Sequence, residues 1–217
     1  MKTPTAVRTP ANGVEVPGRR ERKRLETRER IFRAAMKLFA ERGFFSTTVE
    51  DITEAADVGK GTFFNYFPSK EAVFAVLHEI QLGKMDEART AAQSGKLPIE
   101  KLLYQFMLRI VEEPARSQML ARSLLATVFS SEPVREMLVE TMGRARGILA
   151  DVLRLGQERG EVRRDLNPQD MAWTFQQSVL GTVLLWSVHP PSNLHKRLET
   201  TFEIFWAGVR AGNEAHS

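Results

Sequence analysis

Apolar residues recur along this chain at intervals of three and four, in runs interrupted by Gly, Pro and Ser. That is the pattern of helices that each bury one stripe. The first clear run is Ile31, Ala34, Ala35, Leu38 and Phe39, and Gly43 closes it where a left-handed cap is commonly needed. Thr48 then offers a hydroxyl cap with Asp51 three residues on, an approximate capping box. Val49, Ile52 and Ala56 form the inward face of a second helix of about two to three turns. Asp57, Val58 and Gly59 make a turn, and a third helix runs from about Lys60 to Phe67. Pro68 closes it, because proline disfavours helix in the residue before it. Ser69 is placed to cap a fourth helix along which Ala72, Val73, Val76, Leu77 and Ile80 are periodic.

The remainder also reads as helix, with breaks at Ser94 to Pro98, Glu113-Pro114, Ser131 to Pro133, Arg159 to Pro168 and His189 to Ser192. No alternating strand pattern and no internal repeat is present. The expected fold class is all-α, with about nine helices. Residues 1–18 are expected to be a disordered tail, 19–70 a helix-turn-helix unit and 71–217 a second helical unit. The longest apolar run, around Val183 to Trp186, is far too short to span a membrane, and the polar, basic N-terminus is not a secretory signal. A soluble, cytoplasmic protein without membrane association is the expectation.

Composition narrows the chemistry. Of 217 residues 42% are hydrophobic and 27% charged, enough for one sizeable core or two small ones. Cysteine is absent, which excludes disulfides and thiolate metal sites. His78, His189, His195 and His216 lack metal-ligand spacing, and neither a metal nor a cofactor is expected. No Ser-His-Asp, Cys-His, phosphate-loop or paired-carboxylate constellation stands out, so an enzyme is not expected either. The charge is uneven: residues 1–71 hold 14 Lys+Arg against 10 Asp+Glu, while the rest hold 17 of each. A surplus confined to one end suits a phosphate-binding module, since each neutralised phosphate releases condensed counterions.

The third helix fits that surplus. Phe63, Phe64 and Phe67 are spaced to pack inward, leaving Thr62, Asn65 and Tyr66 to point elsewhere. A major groove admits one α-helix, Asn suits adenine, and Thr or Tyr suits phosphate or a thymine methyl. Gly61 permits close backbone approach, Lys60 and Lys70 supply charge at either end, and the second helix directs its N-terminus and the Thr48 hydroxyl at a phosphate.

The run from Arg28 to Phe74 resembles the DNA-binding domain of the TetR/AcrR family of bacterial transcriptional regulators. The matching stretches are I-x-x-A-A-x-x-L-F-x-x-x-G from Ile31 to Gly43, T-V-E-D-I-T-E-A-A from Thr48 to Ala56, and K-G-T-F-F-x-Y-F-x-S-K-E from Lys60 to Glu71. The resemblance implies a homodimer on a palindromic duplex operator, with a C-terminal domain that senses a small molecule. It implies DNA contact by Thr47, Thr48, Lys60, Gly61, Thr62, Phe63, Asn65, Tyr66 and Lys70. Phe64 stands where the family usually has a tyrosine, Tyr66 where it usually has histidine, and Asp57 and Gly59 replace the usual glycine and serine. Arg19, Arg20, Arg22, Lys23 and Arg24 form a basic arm that either reaches the minor groove or is a solvated tail.

Beyond residue 71 the signal is coarser. The segment Arg159 to Ala172 resembles the family's link into the penultimate helix. Ala172, Ser178, Gly181 and Thr182 on that helix permit close approach, and Leu194, Leu198, Thr201, Phe202, Phe205 and Val209 form one stripe on the last. These two helices are expected to make a four-helix interface between two copies. Phe106, Met107, Met119, Phe129, Met137, Met142, Trp173 and Phe175 are candidate walls of an effector pocket, with Gln176 or Gln177 as an orienting amide. Such walls favour a hydrophobic or aromatic effector. Repression relieved by that effector is the first functional reading; activation, or broad binding at many sites, is the alternative, and an all-α enzyme or protein-interaction module with an incidental helix-turn-helix is a third that no residue constellation supports.

Overall fold

The computed structural model describes residues 18–189 and 193–212. Apart from Gly18, the expected disordered tail lies outside the described residues. Among those described there are nine α-helices: α1 (Arg19–Arg42), α2 (Val49–Ala55), α3 (Lys60–Tyr66), α4 (Phe74–Gln93), α5 (Ile99–Val111), α6 (Gln118–Ser130), α7 (Glu132–Glu158), α8 (Pro168–Val188) and α9 (Leu194–Val209). Short 3-10 turns over Glu71–Val73 and Pro114–Arg116 lead into α4 and α6. The only extended pairing described is a single antiparallel bridge between Val162 and Arg210. No helix is long and apolar enough to cross a membrane, among the described residues.

The boundaries have local causes. Gly43 ends α1 at φ 85°, ψ 161°, a combination essentially restricted to glycine. A Cβ there would also meet Met119 Sδ of α6 at 3.3 Å, so the position is bound twice over. Thr48 and Asp51 form a reciprocal capping box: the Asp51 amide donates to Thr48 Oγ1 at 3.1 Å and the Thr48 amide to Asp51 Oδ2 at 2.8 Å. Ser117, Asn167 and Asn193 accept backbone amides at the starts of α6, α8 and α9.

Two apolar cores result. The first gathers Ile31, Phe39, Ile52, Phe63, Phe67 and Phe74, with the Phe39, Phe44 and Phe74 rings 5.1–5.6 Å apart. It also takes in Leu120 of α6 and Val134 of α7. The helix-turn-helix unit therefore does not close its core at residue 70; α6 and α7 finish it. The second core fills the space among α4 to α9. The stripe Leu194, Leu198, Phe202, Phe205 and Val209, expected at a dimer face, is buried inside this chain. What α8 and α9 leave outside is a different apolar set: Trp173, Leu180, Leu184, Leu185, Val188 and Ile204, each 40–71% exposed.

Candidate nucleic-acid interface and apolar cavity

Helix α3 has only seven residues and is held by what it buries. Phe63 and Phe67, four apart, are 0% and 1% exposed and seat the helix on α1 and α2. Phe64 lies about 100° further round. It is 49% exposed, its ring edge-on to Phe63 at 5.4 Å, and does not pack inward as its spacing suggested. Lys60, Gly61 and Asn65 are exposed and Thr62 half-buried, so these share the open face with Phe64. Tyr66 is half-buried against the first core, which turns it partly away from that face. Phe63, expected to contact DNA, is wholly internal.

Two more expected contacts are internal. Thr47 is 1% exposed, its hydroxyl donating to Gly43 O at 2.8 Å. Lys70 turns its ammonium inward, donating to Phe44 O and Thr47 O, both at 2.7 Å, and lying 4.1 Å from the Phe44 ring centroid. Partial burial pushes this lysine below its ordinary pKa. Lys70 straps the loop between α1 and α2 and is not a free phosphate-binding charge. Thr48 is exposed, with its hydroxyl held by Asp51 Oδ2 at 2.8 Å.

Acidic groups crowd the start of α2 and draw nearby cations to them. Lys60 pairs with Glu50, and Arg42 with Asp51 at 3.3 Å. The Lys60 ammonium holds Glu50 below the usual carboxylate range; hydrogen bonds from the Thr48 backbone and hydroxyl do the same for Asp51. DNA phosphates would have to compete for Lys60 and Arg42. Asp57 takes φ 50°, the left-handed turn position that glycine would fill without strain. The basic cluster Arg19 to Arg24 is exposed but helical, forming the first turns of α1; it is not an extended arm. Arg28 of the same helix grips Glu79 of α4 through two hydrogen bonds of 2.7 Å, tying the two units together.

An apolar cavity of about 250 Å³ lies between α4, α5, α6, α7 and α8. Phe106, Met107, Met137, Met142, Phe175 and Gln176 line it, as their spacing suggested. Met119, Phe129, Trp173 and Gln177 do not, because helical register turns them away. Met119 leans on Gly43, Phe129 is 80% exposed, Trp173 is 47% exposed under the Arg146 guanidinium, and Gln177 faces outward. Sequence reasoning missed His78, Gln81 and Thr141. A signal existed for the first two: they are polar yet fall in phase with Phe74, Leu77 and Met85 on the inner face of α4.

The polar lining is nearly closed upon itself. Thr141 donates its hydroxyl proton to Met137 O at 2.7 Å. It must then accept from His78 Nδ1–H, with His78 Nε2 3.7 Å from Glu140 on the other side of the ring. Gln176 donates to Met142 O at 2.8 Å and accepts from Arg146 at 3.3 Å.

Helix α6 joins this cavity to both ends of the molecule. Its residues Ala121, Leu124, Leu125 and Val128 wall the cavity. Towards the helix-turn-helix, Ser117 Oγ donates to Ala40 O at 3.2 Å and Ser123 Oγ accepts from the Phe44 amide at 3.0 Å. Towards α8, Gln118 donates to Trp186 O at 2.7 Å and His189 O at 3.1 Å, and Arg122 to Ser187 O at 2.8 Å. Those carbonyls end α8, where helix geometry leaves them without intrahelical donors.

Known proteins carry the same parts in the same order. Residues 31–77 match the model of bacterial regulatory proteins of the tetR family, and residues 129–202 a tetracyclin repressor-like C-terminal domain. The HTH-type transcriptional regulator TcmR of Streptomyces glaucescens is 32% identical over 72% of this chain, which spans 63% of TcmR. The HTH-type transcriptional repressor DhaR of Mycobacterium sp. strain GP1 is 28% identical over 74% of this chain and 82% of its own length. Thermus thermophilus FadR, a TetR-family repressor solved with lauroyl-CoA, superposes with a TM-score of 0.60 at 30% identity, covering 88% of this chain and 98% of FadR. With polar side chains exposed along α3, an apolar cavity among α4 to α8 and α6 reaching from that cavity to the helix-turn-helix, the chain belongs to the TetR family and is a DNA-binding, ligand-responsive regulator of transcription, not an enzyme.

Proposed function

We propose that this chain acts as a homodimeric repressor on a palindromic operator and is released when a small apolar molecule fills the cavity. The observation that carries the reading is the position of α6, which walls the cavity while hydrogen-bonding the α1–α2 loop on one side and the end of α8 on the other. A molecule that fits only one placement of α6 shifts the helix-turn-helix units by its differential affinity for the two states. The outward apolar residues of α8 and α9, Leu184, Leu185, Val188 and Ile204, suit an isologous contact between two copies. Such a contact sets the two α3 helices into successive major grooves, about 34–36 Å apart. Lys60, Thr62 and Asn65 read or grip the duplex, with Gly61 allowing close approach, Thr48 at the α2 start and Phe64 adding apolar contact. DhaR and FadR are described as repressors, which favours repression here.

Selection of bound genomic fragments, followed by anisotropy titration across salt concentrations, tests the reading. Sequence-specific binding that falls steeply with salt is expected, at a slope of about −0.9 per phosphate neutralised. Asn65→Ala should weaken the selected site by roughly 1–3 kcal/mol and leave non-specific affinity alone. Equal affinity of the variant for the selected site would refute the assignment of this face. Footprints upstream of a promoter, with transcription rising on binding, would mark an activator instead.

A further inference from the structure

Among the described residues, one buried side-chain polar atom has no hydrogen-bond partner: Gln81 Oε1, on a residue that lines the cavity and is 8% exposed. The orientation of this amide is set by chemistry, since its Nε2 donates to Ile110 O at 3.2 Å and a carbonyl cannot accept from Oε1. Every other polar lining group is engaged: His78 with Thr141, Thr141 with Met137 O, and Gln176 with Met142 O and Arg146. No lysine or arginine lines the cavity. An acceptor left bare in an apolar wall is costly, and buried orphans of this kind call for a physical explanation.

We propose that the cavity takes a neutral, apolar molecule bearing one hydrogen-bond donor, a hydroxyl or an N–H, and that Gln81 Oε1 accepts that donor. The proposal rests on the cavity being the effector site. Oε1 is closed to solvent in this form, so the ligand meets it after a small turn of the amide about its terminal torsion, which is soft. An anion is disfavoured: with no lysine or arginine in the lining, a carboxylate would be desolvated against largely apolar walls. A cavity of about 250 Å³ has room for on the order of ten non-hydrogen atoms, at the roughly 30 Å³ a water takes in the liquid. An alkylated phenol or a medium-chain alcohol matches that size and polarity.

The test compares 4-butylphenol, its near-isostere 4-butyltoluene, 4-butylbenzoate and lauroyl-CoA on the full-length protein, by calorimetric titration and by the shift in unfolding midpoint. The phenol should bind and lower operator affinity, the benzoate should bind at least ten-fold more weakly, and lauroyl-CoA should not compete with the phenol. Gln81→Leu should weaken the phenol about ten-fold while leaving the toluene unchanged or tighter, because only the phenol loses an acceptor. Gln81→Met, which keeps the length of the side chain, should behave alike and covers the case in which the leucine variant folds poorly. Equal effects of either substitution on phenol and toluene overturn the role of Gln81, as does tighter binding of the benzoate or lauroyl-CoA. If none of the four binds the wild-type protein, the cavity is not the effector site and the reading beneath the proposal falls with it.

Discussion

Replacing Lys70 by methionine keeps the apolar stem and removes the ammonium, which separates the two roles this lysine could have. In the structure the ammonium donates to Phe44 O and Thr47 O and lies over the Phe44 ring. Hydrogen bonds to a charged group contribute about 1.5–3 kcal/mol each, and a partly exposed cation–π contact about 0.5–1 kcal/mol. Phe44 O keeps the Thr47 amide at 3.3 Å, so Thr47 O is the carbonyl that loses its partner in this strap outright. Lys70 is only partly buried, so the lower ends of these ranges apply, and the net loss lies between about 2 kcal/mol, if Phe44 O is served by the Thr47 amide, and about 3.5 kcal/mol. For a chain of this size that corresponds to a drop in unfolding midpoint of roughly 5–10 °C. Operator affinity measured well below the midpoint should fall, because the α1–α2 loop carries the Thr48 cap, while the slope of affinity against salt stays the same. An unchanged midpoint with a salt slope smaller by about one phosphate would show that Lys70 grips DNA after all, and would refute the strap.

Asp57→Gly should raise stability by about 0.5–1 kcal/mol in thermal or urea unfolding, since relief of the left-handed strain exceeds the added chain entropy of glycine; a loss would mean the Asp57 side chain is needed in the turn. Gly156→Ala should cost about 1–3 kcal/mol, because its Cβ would come 2.5 Å from Val162 Cγ2 and 3.2 Å from two Ile99 carbons; a neutral result would show that this junction of α5 and α7 yields freely. Acid should destabilise the fold. Arg28 holds Glu79, Lys84 holds Glu112 and Arg163 holds Asp165 below the ordinary carboxylate values. Their folded pKa values lie under the unfolded ones, so the stabilisation is complete above about pH 4–5 and is lost as pH falls further. These groups are largely exposed, so the loss should be modest and should shrink in high salt; an unfolding midpoint that stays flat from pH 6 to pH 3 would contradict the pairing.

Much of the architecture was legible in the chain because local rules place helix ends. Gly43, Thr48 with Asp51, Pro68, Pro98, Ser117, Pro133, Asn167 and Asn193 act within four residues of themselves, and the breaks between α1 and α8 fell where such residues stand; the expected break at His189 to Ser192 lies, past His189, outside the described residues. The order and spacing from Ile31 to Glu71 likewise sufficed for the family. Side-chain direction was less legible. The phenylalanines at 63, 64 and 67 span about 100° around α3, an arc that a core can cover, and spacing alone did not say that the one at its edge would turn out. Phe64 does, and Tyr66 swings partly in.

What only the tertiary structure decided was which partner each stripe meets. A periodic apolar face requires burial but does not say against what, so the α9 stripe could be read as an interface when it is this chain's own core. Lys70 looks like a surface polar group until the carbonyls of a loop some two dozen residues away in the chain claim its donors, and so does Thr47, bonded within its own loop, until the fold buries it. The cavity is the clearest case. Its walls come from five helices, and Phe129 is as apolar as Phe106 yet faces outward. Hydrophobicity is carried by composition, whereas enclosure depends on distances between helices far apart in sequence, and so does the unpaired oxygen of Gln81.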